Sequence, residues 1–113
     1  MTPPSWARFL ANYTIMPTGR VMTNHIISID EEQRLTDIAA ANHEPAYTTY
    51  VPHPLLLISA DRTETAAAMI QQARDINTLC QLLAGSRMPM VEARQRVALY
   101  EIDFAAKRCR RLV

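Results

Sequence analysis

Residues 55–64 read Leu-Leu-Leu-Ile-Ser-Ala-Asp-Arg-Thr-Glu, and the hydrophobic periodicity of the chain changes within this stretch. Before it, short segments of extended character are separated by Pro, Gly and Asn. After it, apolar residues recur at steps of three and four almost to the end of the chain, as in amphipathic helices. Asp61 is a suitable N-cap, and Glu64 completes a pattern like a capping box. The sequence therefore predicts a β-rich first half and a helical second half.

The first half contains five stretches with the composition of β-strands, and turn residues separate them. In the turn at residues 17–20, Pro17 presets one φ value and Gly19 accepts a positive φ. The stretch at residues 55–58 is apolar throughout, which is typical of a buried strand. The predicted strands are residues 8–16, 21–29, 34–39, 46–51 and 55–58, and together they predict an antiparallel meander over residues 8–59.

Two helices are predicted in the second half. Gly85 supplies the left-handed residue that ends the first helix, and Pro89 suits the first turn of the second. The short linker between them favours antiparallel packing. An apolar stripe on the first helix consists of Met69, Ala73, Ile76, Cys80 and Leu83. The stripe either covers the sheet or forms a seam between subunits, and it is too short to separate these alternatives.

These elements predict an α+β fold in a single domain that spans residues 1–113. In it, the antiparallel β meander of residues 8–59 packs against an antiparallel helical hairpin of residues 62–111. Such layering buries both the apolar face of the sheet and the stripe on the helices.

Composition argues against several classes of function. Twelve basic and eleven acidic residues leave a net charge of +1, whereas nucleic-acid-binding domains are usually strongly basic. No apolar run is long enough to span a membrane, and the N-terminus lacks the features of a secretory signal. We expect a cytoplasmic protein that contacts no membrane. Cys80 and Cys109 are then free thiols, with a disulfide between the two predicted helices as the alternative.

Few residues qualify as catalytic or metal-binding groups. The spacing of His25, His43 and His53 matches no metal signature, so a surface or turn position is favoured for each. The alternative is a site that folding assembles from residues distant in sequence. Ser59 and Cys80 are conceivable nucleophiles, but neither has a base nearby in sequence. The sequence therefore predicts no catalytic residue, no metal ligand and no cofactor.

Two charged runs have structural interpretations. Asp30-Glu31-Glu32 is interpreted as a solvated turn in preference to an acid pair. Lys107-Arg108-Cys109-Arg110-Arg111 is interpreted as a set of cations that favour a helix C-terminus, in preference to a phosphate patch.

Three segments between residues 10 and 54 follow the order strand, strand, acidic turn and strand. They are Leu10-Ala11-Asn12-Tyr13-Thr14-Ile15-Met16-Pro17, His25-Ile26-Ile27-Ser28-Ile29-Asp30 and Leu35-Thr36-Asp37-Ile38. In this order the chain resembles the N-terminal β-sandwich segment of the amidohydrolase superfamily, a family of metal-dependent hydrolases. Val51-Pro52 matches the family's V-P-G approach to its catalytic barrel, but His53 replaces the Gly.

Where that family carries its two metal-binding histidines, this chain has Ile58 and Ala60. The family's barrel also needs roughly 250 residues. The resemblance therefore implies a sandwich-type relative without the catalytic barrel or the metal motif. A second stretch, residues 74–88, is similar to the first helix of all-helical chorismate mutases, but the β-rich first half departs from that plan.

The sequence favours a non-catalytic interaction or scaffold protein that associates with itself, and we expect a homodimer. Apolar residues make up 49% of the chain and include six Met, a residue that adapts well to partner surfaces. The alternative is a small or accessory subunit of a metal-dependent, amidohydrolase-like hydrolase, with one of the histidines as ligand or base. Nucleic-acid binding by Arg108, Arg110 and Arg111 is the least favoured function.

Overall fold

The computed structural model describes residues 7–42 and 47–113, which form one seven-stranded sheet with two helices. The strands are β1 Ala7–Ile15, β2 Val21–Ile29, β3 Leu35–Ala40, β4 Thr48–Tyr50, β5 Leu55–Ser59, β6 Val97–Asp103 and β7 Arg108–Arg111. The helices α1 Thr63–Gln72 and α2 Ile76–Ser86 connect β5 to β6. The strand order is β3-β2-β1-β5-β6-β7, and β4 also pairs with β1.

The sheet is mixed because β1 has parallel neighbours on one side. It pairs antiparallel with β2 along its whole length, but parallel with β4 near Arg8 and with β5 near Ile15. The segment between β4 and β5 contains Pro52 and Pro54, which have no backbone N–H to donate. The two short strands therefore follow β1 one after the other, with a break in the hydrogen-bond ladder between them.

The predicted fold class is wrong in both of its halves. Strands do occupy the five stretches that look extended in sequence, but the parallel pairing of β1 with β4 and β5 overturns the antiparallel meander. The helices lie in the middle of the chain, and β6 and β7 stand where the second helix of the hairpin was predicted. Local periodicity does not encode which strands pair, and this choice determines the topology.

The apolar spacing of residues 97–104 fits a helix as well as a strand. In the structure, residues 97–102 are buried on both faces, because β6 lies between β5 and β7 and has packed side chains above and below. A fully buried strand is apolar at nearly every position, so it contains helix-like spacings by coincidence. Residues 97–101 pair with the five residues of β5, and this pairing makes the segment a strand and not a helix.

The first predicted helix is two helices. The α1 helix ends at Gln72, and Asp75 begins α2 by accepting hydrogen bonds from the backbone N and the hydroxyl of Thr78, at 2.8 and 2.7 Å. The apolar spacing continues across this break because both helices cover the same face of the sheet. The predicted end at Gly85 is also wrong, since Arg87 is the left-handed residue, with φ of 56°.

The sheet has a hydrophobic core on each of its faces. On one face, α1 and α2 cover β5 and β6. On the other, the sheet curls until the start of β3 meets the start of β6, where Leu35 N donates to Gln95 O at 2.9 Å and Val97 N donates to Gln33 O at 2.8 Å. The most buried side chains of this second core include Ile27, Ile29, Leu55, Leu57, Val97 and Leu99.

Neither helix in the described ranges is long and apolar enough to cross a membrane.

Candidate functional site

Four titratable side chains meet where the segment before β5 contacts β6 and β7. Glu101 is only 8% exposed. Its Oε2 lies 2.9 Å from His53 Nδ1, and its Oε1 accepts a hydrogen bond from Arg110 at 2.8 Å. His53 Nε2 lies 3.3 Å from Asp103 Oδ2. We refer to His53, Glu101, Asp103 and Arg110 as the ion cluster.

Strand register and proline geometry bring these residues together. Glu101 pairs directly with Arg110 across β6 and β7, so their side chains lie side by side on one face. The flanking prolines restrict the backbone around His53, and Ile102 N donates to Pro54 O at 2.9 Å, which holds this segment against β6. Because side chains alternate along a strand, Asp103 lies on the same face as Glu101.

The electrostatics of the ion cluster favour a charged Glu101. The hydrogen bond from His53 lowers the pKa of Glu101 most, Arg110 lowers it further, and burial opposes both. A buried carboxylate is tolerated when its oxygens accept hydrogen bonds, and here Oε1 is paired with Arg110 and Oε2 with His53. The ion cluster therefore fastens the β6–β7 hairpin to the segment before β5.

This arrangement does not provide an open coordination site. Both ring nitrogens of His53 face carboxylates, so a metal would have to displace one of these contacts. Among residues 7–42 and 47–113, no group of three or more His, Cys, Asp or Glu is placed to hold a metal ion. Ser59 is engaged elsewhere, since its hydroxyl donates to Asp61 at 2.6 Å and accepts from Gln95 at 2.8 Å.

The other candidate residues are scattered. His25 lies on β2, with Nδ1 2.8 Å from Thr23 O, whereas His43 lies outside the described residues. Both cysteines are free: Cys80 is partly buried on α2, which raises the pKa of its thiol, and Cys109 is exposed on β7.

The acidic run lies in the turn between β2 and β3. There Asp30 Oδ1 accepts hydrogen bonds from the backbone N of Glu32 at 2.9 Å and of Arg34 at 2.8 Å. This carboxylate stabilises the turn, while Glu31 and Glu32 are exposed.

The structural interpretation of the basic run is wrong. Residues 107–111 form the end of the β6–β7 turn and the exposed edge strand β7, so there is no helix C-terminus for their charges to favour. The ion pair with Glu101 accounts for Arg110, but it does not account for the other cations of the run.

The apolar stripe is divided between the core and the surface. Met69 and Leu83 are buried against the sheet, whereas Ala73, Ile76 and Cys80 are partly buried at the margin of the same core. Ala73 caps the end of α1 and Ile76 begins α2, so the turn between the helices interrupts the stripe.

Apolar side chains surround this turn and remain accessible. Two surface depressions, of about 560 and 610 Å³, lie on either side of Phe104. Tyr13, on the wall of the smaller one, is 45% exposed. We define the turn patch as Tyr13, Val21, Ile70, Ala73, Ile76 and Phe104, which line these two depressions.

Sequence reasoning missed Glu101 and Asp103, because both lie on a segment that was assigned to a helix. A signal was present: Glu101 is a single carboxylate within the apolar run Val-Ala-Leu-Tyr-Glu-Ile. Had this run been assigned to a buried strand, the isolated charge would have required a cationic partner.

Among known proteins, the chain shows one weak structural similarity. No protein-family model and no curated protein matches the chain. The chain is similar to the crystal structure of a proposed prolidase from Bifidobacterium longum, with 13% identity and a TM-score of 0.36. The similarity covers 62% of this chain but only 22% of that one. This structural similarity is weak and partial.

Proposed function

We propose that this protein is a non-catalytic interaction protein that forms a homodimer through the turn patch. The observation that carries the proposal is the accessible apolar surface around the α1–α2 turn. The ion cluster supports it indirectly, because both of its carboxylates already contact His53 or Arg110.

Contiguous accessible apolar side chains are a common mark of interaction surfaces. In the turn patch, an aromatic residue on β1 and another after β6 flank the aliphatic residues of the two helices. Tyr13 and Phe104 are of the residue types enriched at interfaces, where aromatic side chains supply much of the binding energy.

We infer that the partner is a second copy of the chain, because the surface beside the turn patch carries two adjacent charges of opposite sign. Arg74 and Asp75 are adjacent, exposed and of opposite charge, and Arg74 lines the larger depression whereas Asp75 lines the smaller one. Hydrogen bonds from Thr78 lower the pKa of Asp75, so its carboxylate is ionised at neutral pH. A two-fold axis next to this pair would place Arg74 of one subunit opposite Asp75 of the other, as a self-complementary dimer contact requires.

The test is the molar mass in solution, measured by light scattering over a range of micromolar concentrations. We expect twice the 12.8 kDa mass of the chain. Arg74→Glu would set a carboxylate opposite Asp75 of the second copy on both sides of the axis, and this repulsion should shift the mass toward that of the monomer. Arg96→Glu is the matched control. Arg96 is an exposed arginine just before the start of β6, whereas Phe104 of the turn patch follows the end of that strand.

A monomeric parent protein at every concentration would contradict the proposal, as would equal masses for Arg74→Glu and the parent. Circular dichroism should show that the variants remain folded. Stoichiometric zinc or iron in the purified protein, lost in His53→Ala, would contradict the non-catalytic assignment and favour the hydrolase-subunit alternative.

A further inference from the structure

A groove of about 580 Å³ runs along the β6–β7 hairpin on the face that carries the ion cluster. The ion cluster forms part of its wall. Lys107, Arg108 and Cys109 complete the lining. The groove shares no residue with the turn patch itself, but Asp103, Lys107, Arg108 and Cys109 also line the larger of the two depressions that the patch borders.

The acidic side chains of the groove have partners within the protein, whereas two of its basic side chains do not. The two carboxylates, Glu101 and Asp103, already have partners: Glu101 contacts both Arg110 and His53, and Asp103 lies 3.3 Å from His53 Nε2. By contrast, the side chains of Lys107 and Arg108 form no hydrogen bond or ion pair with the described part of the chain. The lining of the groove therefore carries three cationic side chains, Lys107, Arg108 and Arg110, against two carboxylates, and two of these cations have no partner among the described residues.

The spacing of the arginines suits an anion with several oxygens. Arg108 and Arg110 alternate along β7, so they lie on the same face and are about 7 Å apart along the strand. Arg110 uses one terminal nitrogen for Glu101, and its side chain is 73% exposed, which leaves other N–H donors accessible. Planar guanidinium groups with several donors are well matched to phosphate.

We propose that this groove binds the phosphate or diphosphate group of a small molecule, held by Arg108, Lys107 and the free donors of Arg110. The volume lies within the usual range for small-molecule sites. Charged residues on an edge strand also discourage unwanted strand pairing. That role accounts for exposed charge on β7, but it requires no saturable binding of anions.

The experiment is a calorimetric titration of the full chain with inorganic pyrophosphate and, separately, with adenosine 5′-diphosphate, at constant ionic strength. We expect saturable binding, weakened about tenfold or more in Arg108→Gln, because a hydrogen bond to a charged group is lost. Lys107→Gln should also weaken it. Arg20→Gln, which removes an exposed charge in the β1–β2 turn outside the groove, should leave the affinity unchanged.

Tighter binding of the nucleotide than of pyrophosphate would identify an organic phosphate as the ligand, and the reverse order would identify a free inorganic phosphate. The proposal is overturned if neither anion binds saturably, or if Arg20→Gln weakens binding as much as Arg108→Gln does. Native-like circular dichroism of Arg108→Gln is expected, since this side chain makes no contact that holds the hairpin.

Discussion

At the residue scale, the backbone at Gly19 leaves no room for a side chain. It has φ of 89°, and a Cβ added there would collide with the backbone carbonyl of Cys80 on α2. Gly19→Ala combines a left-handed backbone with overpacking and should lower the free energy of unfolding by roughly 2–5 kcal/mol. Urea denaturation measures this loss. A change of less than about 1 kcal/mol, the typical effect of a point mutation, would contradict the close approach of this turn to α2.

A second prediction at this scale concerns Glu101 and pH. Its pKa in the folded state lies below its ordinary value of 4.5, so the ionised group contributes stability above that pH. This contribution is lost as the pH falls through the lower, folded-state pKa. In Glu101→Gln, the free energy of unfolding should therefore depend less steeply on pH below about 4.5 than in the parent.

Urea denaturation between about pH 3 and pH 6 measures that slope. Glu31→Gln, in the exposed turn between β2 and β3, is the control and should retain the slope of the parent. An unchanged slope in Glu101→Gln would mean that the ion cluster does not stabilise the fold.

At the scale of the elements, α2 contains a glycine at a position where an alanine would fit. Gly85 lies inside the helix, and a Cβ added there meets nothing within 4 Å. Gly85→Ala should raise the free energy of unfolding by about 0.5–1 kcal/mol, because alanine restricts the unfolded chain and favours the helix. Thermal and urea denaturation both report this gain. If Gly85 were the left-handed end of the helix, as the sequence suggests, the same substitution would destabilise the protein.

The strands and helices differ in how far sequence predicts them. The turn at Gly19 and the strands up to Ser59 follow from local chemistry, because proline, glycine and alternating apolar residues act within a few positions. The strand β6 does not, since a buried strand and a helix share its apolar spacing and only the pairing with β5 separates them. The ion cluster depends on this pairing, so it could not be predicted while Glu101 was assigned to a helix.

At the scale of the whole molecule, homodimer formation would link stability to concentration. If the turn patch is the interface, the midpoint of thermal unfolding should rise as the protein concentration rises, by mass action. Ile76→Ala should reduce this dependence because it removes apolar contact from the interface. The substitution Gln81→Ala, at an exposed position of α2, should preserve it.

Scanning calorimetry at several concentrations measures the dependence. A midpoint that does not move in the parent would exclude the dimer. A loss of stability in Ile76→Ala that is the same at all concentrations would show that Ile76 serves only the core of its own subunit.

The position of β1 between β2 and β5 has a consequence for the order in which the chain acquires its structure. β1 and β2 can form a hairpin early, because they are neighbours in sequence. The other partner of Ile15 is Leu56, which lies much later in the sequence, and Leu56 in turn pairs with Tyr100. Contacts between such distant residues slow folding. During synthesis, β5 leaves the ribosome with one edge unpaired, because β6 has not yet been made. The growing chain is therefore exposed to aggregation until β6 and β7 have been made.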